Sequence, residues 1–181
     1  MTMRINRYVG VLAAAALALL APNASAFTNV AVGDAASAEV SSSTITFGSF
    51  SSCTGGTMSL VATQDDGPGA GGTFSVPAAT FTGCQVFGSA ATFTPDTTTP
   101  WTFAVNGAGA ARISGIDFTE RWGPLTCRYQ GAISGAYSQS NGQMVLSGSI
   151  TRTSGSTLCA SSMAVSGTYT IRNAANAFVL L

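Results

Sequence analysis

The chain has 181 residues, only 8% of them charged and 46% apolar, and its seven basic residues balance seven acidic ones to a formal net charge of zero. All seven basic residues are arginines; there is no lysine and no histidine. Those absences exclude Ser-His-Asp and Cys-His catalysis, remove lysine as a substitute base, and leave no basic cluster to hold nucleic acid or anionic lipid by counterion release.

The opening stretch, MTMRINRYVGVLAAAALALLAPNASAF, sets Arg4 and Arg7 before an apolar run from Val9 to Leu20. Pro22 breaks the run, and Ala24-Ser25-Ala26 supplies small residues for cleavage. This pattern predicts a secretory signal peptide over 1–26 and a secreted β domain over 27–181. The apolar run is about a dozen residues and a spanning helix needs roughly 20, so no transmembrane helix is expected after signal cleavage. Arg4 and Arg7 leave with the signal. The mature chain is then slightly acidic, with Arg112, Arg121, Arg128, Arg152 and Arg172 scattered along it.

Beyond residue 27, Gly, Ser, Thr and Ala dominate, and Val, Ile, Phe, Tyr and Thr alternate in short runs, as strands and their turns require. Val32–Val40, VGDAASAEV, is the one alanine-rich stretch that suits a turn of helix. Thr44-Ile45-Thr46-Phe47 alternates as a strand. QDDGPGAGGT, 64–73, reads as a long mobile loop, and TPDTTTP, 94–100, as a second loop. In Trp101–Asn106, Trp101, Phe103 and Val105 share one face. Glu120-Arg121-Trp122-Gly123-Pro124 reads as a turn with a solvated charge pair.

From Cys127 to Tyr137, Cys127, Tyr129, Gly131, Ile133, Gly135 and Tyr137 fall on one face of a half-buried antiparallel strand. Asn141-Gly142 predicts a two-residue type I′ hairpin. That loop sets Tyr137 opposite Leu146, Gly135 opposite Gly148 and Ile133 opposite Ile150. The phrase apolar-Ser-Gly-small-apolar recurs at Ile133–Tyr137, Leu146–Ile150 and Val165–Tyr169. Inward glycines let a strand bend, or let a large side chain lie across it, and favour a strongly curved sheet. The apolar tail, Phe178-Val-Leu-Leu181, is expected to tuck into the sheet or a partner.

The expected fold is therefore all-β: a single antiparallel domain, a strongly curved sandwich or small barrel of about eight to ten strands. Cys53, Cys84, Cys127 and Cys159 form an even set in an exported chain, which predicts two disulfides. Three connectivities are open; the nearly equal spacings favour Cys53–Cys84 with Cys127–Cys159. A four-thiolate zinc site is the alternative, without a C-x-x-C pair or a histidine to support it.

Acid–base chemistry falls to Asp34, Glu39, Asp65, Asp66, Asp96, Asp117 and Glu120. Asp117 and Glu120 stand near Trp122, in the company a glycosidase uses, but three positions apart on a strand they point to opposite faces. Asp65-Asp66-Gly67 lacks the spacing of a calcium loop. No serine sits in G-x-S-x-G. No catalytic residue, metal or cofactor is expected, and Trp122 with Arg121 is the candidate binding rim.

Phe81-Thr82-Gly83-Cys84, the Pro100-Trp101 step, the second cysteine pair and Val165-Ser166-Gly167-Thr168-Tyr169 together resemble the small secreted bacterial proteins grouped as activators of alkane oxidation. The resemblance implies an extracellular, non-enzymatic role linked to hydrophobic substrates or surface adhesion, and carries no defined site. The expected function is a non-enzymatic secreted or cell-envelope protein acting by surface interaction. A carrier of small apolar ligands inside a barrel and an outer-membrane β-barrel are the alternatives, and low net charge makes self-association plausible.

Overall fold

The computed structural model describes residues 27–41, 44–67, 70–175 and 178–180. The signal peptide predicted over 1–26 and its cleavage point lie outside the described residues. The strands in chain order are β1 (Phe27–Asn29), β2 (Ala35–Val40), β3 (Ile45–Phe47), β4 (Ser51–Asp65), β5 (Gly71–Val86), β6 (Ser89–Ala90), β7 (Thr92–Pro95), β8 (Trp101–Asn106), β9 (Ala110–Trp122), β10 (Leu125–Ser138), β11 (Gln143–Gly155), β12 (Ser162–Asn173) and β13 (Phe178–Leu180). No helix occurs among the described residues, so none is long and apolar enough to cross a membrane.

The strands close into an eight-stave antiparallel barrel with extra strands. The order runs β12-β11-β10-β9-β8-β5-β4-β2, and β2 pairs back onto β12 from Tyr169↔Val40 to Asn173↔Ala36. Six staves are continuous strands and two are split. β2 and β3 lie end to end between β4 and β12. β8 and β7 share the place beside β9 in the same way. The tail joins the sheet: β13 pairs with β12 at Arg172↔Phe178 and runs parallel to β1.

Period-two alternation puts the large apolar side chains inside. Phe47, Phe74, Phe103, Phe118 and Tyr129 are fully buried, with Ile45, Leu60, Ile113, Met144, Leu146, Ile150 and Ile171 around them. Trp101, Phe103 and Val105 all point inward, and the indole N–H of Trp101 donates to the Asp96 carbonyl at 3.0 Å. Outward positions on β11 are mostly small or polar: Ser147, Ser149, Thr151 and Thr153 are exposed, with Val145 the apolar exception. The interior is filled. Ile45, Met58, Trp101, Ile116, Ile133 and Tyr169 border a cavity of about 20 Å³, room for about one water.

Both disulfides pair as the spacings favour, Cys53–Cys84 and Cys127–Cys159. Cys53 and Cys84 are directly opposed on β4 and β5, with Cα atoms 3.9 Å apart. Cys127–Cys159 ties β10 to the segment between β11 and β12, with Cα atoms 6.0 Å apart. Two such bridges indicate an oxidising, extracytoplasmic environment.

Several local expectations are corrected. Ala35–Val40 is a strand, not a helical turn, because its ladder to β4 and β12 fills a stave. The long loop predicted over 64–73 is shorter, since Gln64 pairs with Thr73 and Asp65 with Gly72. The β10–β11 hairpin has a four-residue loop and a register two residues away from the predicted one: Ser138 pairs with Gln143, Tyr137 with Met144 and Gly135 with Leu146. Asn141 does not take positive φ; its carboxamide oxygen accepts from the Gln143 N–H at 3.0 Å, and Gly142 alone is left-handed at φ 65°. The observed register sets glycine against a large side chain. A Cβ on Gly131 would stand 2.8 Å from Ile150 Cγ2, and one on Gly148 would stand 2.9 Å from Ile133 Cγ2. Each isoleucine lies across the glycine of the other strand, which a glycine-to-glycine register would waste.

Candidate functional site

Four connections meet at one end of the barrel: Gly48–Phe50 between β3 and β4, Phe87-Gly88 between β5 and β6, Gly123-Pro124 between β9 and β10, and 156–161 between β11 and β12. They surround a cup of about 430 Å³, a size that suits small-molecule sites. Phe47, Ser51, Glu120, Tyr129 and Met163 line it together with Trp122 and Leu125.

The rim is apolar and exposed. Phe50, Phe87 and Leu158 are 63%, 60% and 79% exposed. The Phe87 ring stacks on Phe50 at 4.5 Å between centroids and meets Trp122 at 5.4 Å. Phe87 and Gly88 have φ 50° and 76°, and Val86 pairs with Ser89 across them. This is the two-residue hairpin with both central residues left-handed that the sequence suggested at Asn141-Gly142. Phe87 is the one non-glycine residue with positive φ among those described. A bulky side chain in that conformation costs on the order of 1 kcal/mol or more, so the backbone is held against its preference while the ring faces solvent.

The wall opposite is held by Arg152, whose Nη1 donates to the carbonyls of Ser156 (2.7 Å) and Cys159 (2.5 Å). These bonds and Cys127–Cys159 fix the segment that displays Leu158. Gly123, at φ 54°, takes the first central position of the β9–β10 turn, where a type II′ turn needs glycine. That turn brings Trp122 and Leu125 to the cup as paired residues.

Glu120 is the one carboxylate lining the cup and is only 6% exposed. Ser51 Oγ donates to its Oε1 at 3.3 Å. Burial raises the carboxyl above its ordinary value of 4.5, against the opposing effect of the Ser51 hydroxyl. The solvated Glu120–Arg121 pair expected from sequence is thus overturned: β9 alternates, so Glu120 turns inward and Arg121 outward. The predicted rim pair separates in the same way. Trp122 lines the cup, whereas Arg121 borders a shallow depression on the outer surface with Ala91 and Thr92. Burial, and then the charge of Glu120, raise the Tyr129 phenol, and Arg152 opposes them.

Asp117 lies on the outer wall, away from Glu120. Arg128 grips it with Nε to Oδ1 at 2.8 Å and Nη2 to Oδ2 at 2.6 Å, and reaches Asp96 Oδ2 at 2.8 Å. Gln130 adds a bond to Asp117 at 2.6 Å. Asp117 is held below the usual carboxylate range chiefly by Arg128, and Asp96 chiefly by the Thr98 hydroxyl. This cluster satisfies itself and straps the 96–100 loop to the barrel. Asp117 and Glu120 therefore face no common substrate. All four thiols are bonded to each other.

Comparison with protein-family models, curated proteins and solved structures gives no match.

Proposed function

We propose that this is a non-catalytic exported β-barrel that acts by contact, binding an apolar partner through the cup at one end. The observation that carries the reading is the cluster of Phe50, Phe87 and Leu158, exposed together around one concave site. Surface hydrophobes scattered singly need no explanation, but a rimmed apolar cup does. Among the described lining residues Glu120 has no second carboxyl, histidine, lysine or free thiol with which to share acid–base work, and burial and the Glu120 charge raise the Tyr129 phenol, which keeps it protonated. The resemblance to activators of alkane oxidation points the same way, toward a non-enzymatic role at apolar substrates. The signal-peptide pattern and the disulfides support action in the cell envelope or outside the cell.

Two further features favour this reading over its alternatives. The filled interior moves any apolar ligand from the barrel's centre to its end. Serine and threonine on the outer face reverse the pattern of a membrane barrel, which turns apolar side chains outward. The test is fluorescence of the neutral dye Nile red with the purified, disulfide-bonded protein, alongside assays on ester, glycan and peptide substrates. Saturable dye binding that is lost in a Phe50→Ser, Phe87→Ser, Leu158→Ser triple variant, with no turnover, is the expected result. Turnover at ordinary enzyme rates, or no dye binding, overturns the reading.

A further inference from the structure

We infer that the cup selects an apolar ligand with a single cationic head, an alkyl- or arylamine, and that Glu120 is the group that recognises the ammonium. The inference rests on the contact reading above and adds the chemistry of the ligand.

The first argument is the charge inventory of the cup. Its walls are apolar or weakly polar, and its ionisable groups are Glu120 and the Tyr129 phenol. Among the described residues no arginine lines it: Arg121 points outward, and Arg152, on β11 beyond Tyr129, spends its guanidinium on the Ser156 and Cys159 carbonyls. Among the described lining residues the site thus offers one negative charge and no positive one, and the Arg152 charge, which acts on Tyr129, is tied to two backbone carbonyls behind the wall. A carboxylate- or phosphate-headed amphiphile would bring like charge against Glu120 in a poorly solvated place. A neutral head can add a hydrogen bond to a carboxyl that now takes one 3.3 Å bond from Ser51, but it brings no charge to offset the cost of burying the carboxylate.

The second argument is desolvation. A buried ion pair is costly because both charges must leave water. Here folding has already removed most water from one partner, which is 6% exposed. An incoming ammonium loses its own hydration and finds an acceptor with about four lone-pair positions, of which Ser51 uses one. The aromatic residues that line the same cup, Trp122, Phe87 and Tyr129, offer cation–π attraction to an ammonium and none to an anion.

The third argument is shape. The carboxyl lines the cup while Phe50, Phe87 and Leu158 stand exposed at its mouth. A ligand whose ammonium meets Glu120 leaves its hydrocarbon against the rim, so head and tail are satisfied in one pose.

The test uses three probes of one chain length and different head charge: octylammonium, octanol and octanoate, each displacing Nile red from the exported, disulfide-bonded protein at neutral pH. Octylammonium is expected to bind tightest and octanoate weakest, separated by about tenfold or more, which corresponds to 1.4 kcal/mol. In Glu120→Gln the amine is expected to lose its advantage over the alcohol. Octanoate binding as well as octylammonium, or an amine preference that survives in Glu120→Gln, overturns the inference. Because the wild-type series carries the ranking by itself, a poorly folded variant does not remove the test. Octanol binding with no amine preference, or failure of all three probes to displace bound dye, defeats this inference and leaves the contact reading standing; absence of dye binding itself defeats both.

Discussion

Phe87 and Phe50 stack at 4.5 Å across the mouth of the barrel although each is about 60% exposed, and Phe87 does so from a left-handed backbone. Local conformational preference is being traded for the position of a ring. Phe87→Asn restores the Asn-Gly pair that a type I′ turn favours and relieves on the order of 1 kcal/mol of backbone strain. The same change removes the stack, worth about 0.5–1.5 kcal/mol. The net effect in the wild-type chain is small, whereas in a Phe50→Ala background Phe87→Asn loses only the Trp122 contact and is more favourable than in the wild type by about 0.5–1.5 kcal/mol, the worth of the Phe50 stack. Urea denaturation of the four chains measures the cycle, and Nile red binding falls in all three variants.

Glu120 gives stability a pH dependence of definite sign. Burial raises its folded pKa above the ordinary 4.5. The folded state then prefers the protonated acid, so this contribution is fully present below pH 4.5 and is lost as pH rises through the folded value. Glu120→Gln removes the loss. The variant is expected to gain on the wild type between pH 4 and pH 8, read from thermal midpoints across that range. A gap that narrows as pH rises contradicts the assignment of Glu120 as a desolvated carboxyl.

Asp117 behaves oppositely. Arg128 holds its pKa below the ordinary 3.8, so its contribution is present above that value and is lost as pH falls through the lower folded one. The pair is partly exposed, which limits Asp117→Asn to about 1 kcal/mol at neutral pH, with less difference from wild type in strong acid. Because Asp117 lies outside the cup, dye binding by Asp117→Asn is expected to match the wild type.

The strand set was largely readable because period-two alternation is dictated by a sheet with one buried face: Trp101, Phe103 and Val105, and Cys127, Tyr129, Ile133 and Tyr137, all point inward as the pattern requires. The curvature was readable from glycine, but the register was not. Asn141-Gly142 carries the strongest turn signal, and only the tertiary fit of Ile133 over Gly148 and Ile150 over Gly131 selects the longer loop. Of the cup, Trp122 stood out as a rim residue and Glu120 as an acid–base candidate. Phe50, Phe87 and Leu158 come from three separate connections that only barrel closure brings to one end. Phe87 was hidden further, since phenylalanine is an unexpected residue at positive φ. Glu120 was misread because its neighbour Arg121 suggested a solvated pair.

The hairpin register has its own test. Opposite a glycine, as the sequence alone suggested, Gly148 would accept a methyl group. Opposite Ile133 it does not: a Cβ would stand 2.9 Å from Ile133 Cγ2 and 3.0 Å from its Cα. Gly148→Ala is expected to destabilise by about 1–3 kcal/mol through overpacking. An unchanged denaturation midpoint supports the other register.

The two disulfides close loops of nearly the same length, with separations of 31 and 32 residues. The chain-entropy estimate therefore assigns each about the same stabilisation, roughly 3–4 kcal/mol. Their positions differ. Cys53–Cys84 joins neighbouring strands whose ladder already aligns them, whereas Cys127–Cys159 lines the cup and anchors the segment bearing Leu158. Removing Cys53 and Cys84 together as serines is expected to lower stability while leaving Nile red affinity near wild type under conditions where the protein remains folded. Removing Cys127 and Cys159 together is expected to lower stability by a similar amount and also weaken the dye. Equal dye affinity in the two double variants would show that the contacts from Arg152 to the Ser156 and Cys159 carbonyls hold that wall without the bridge.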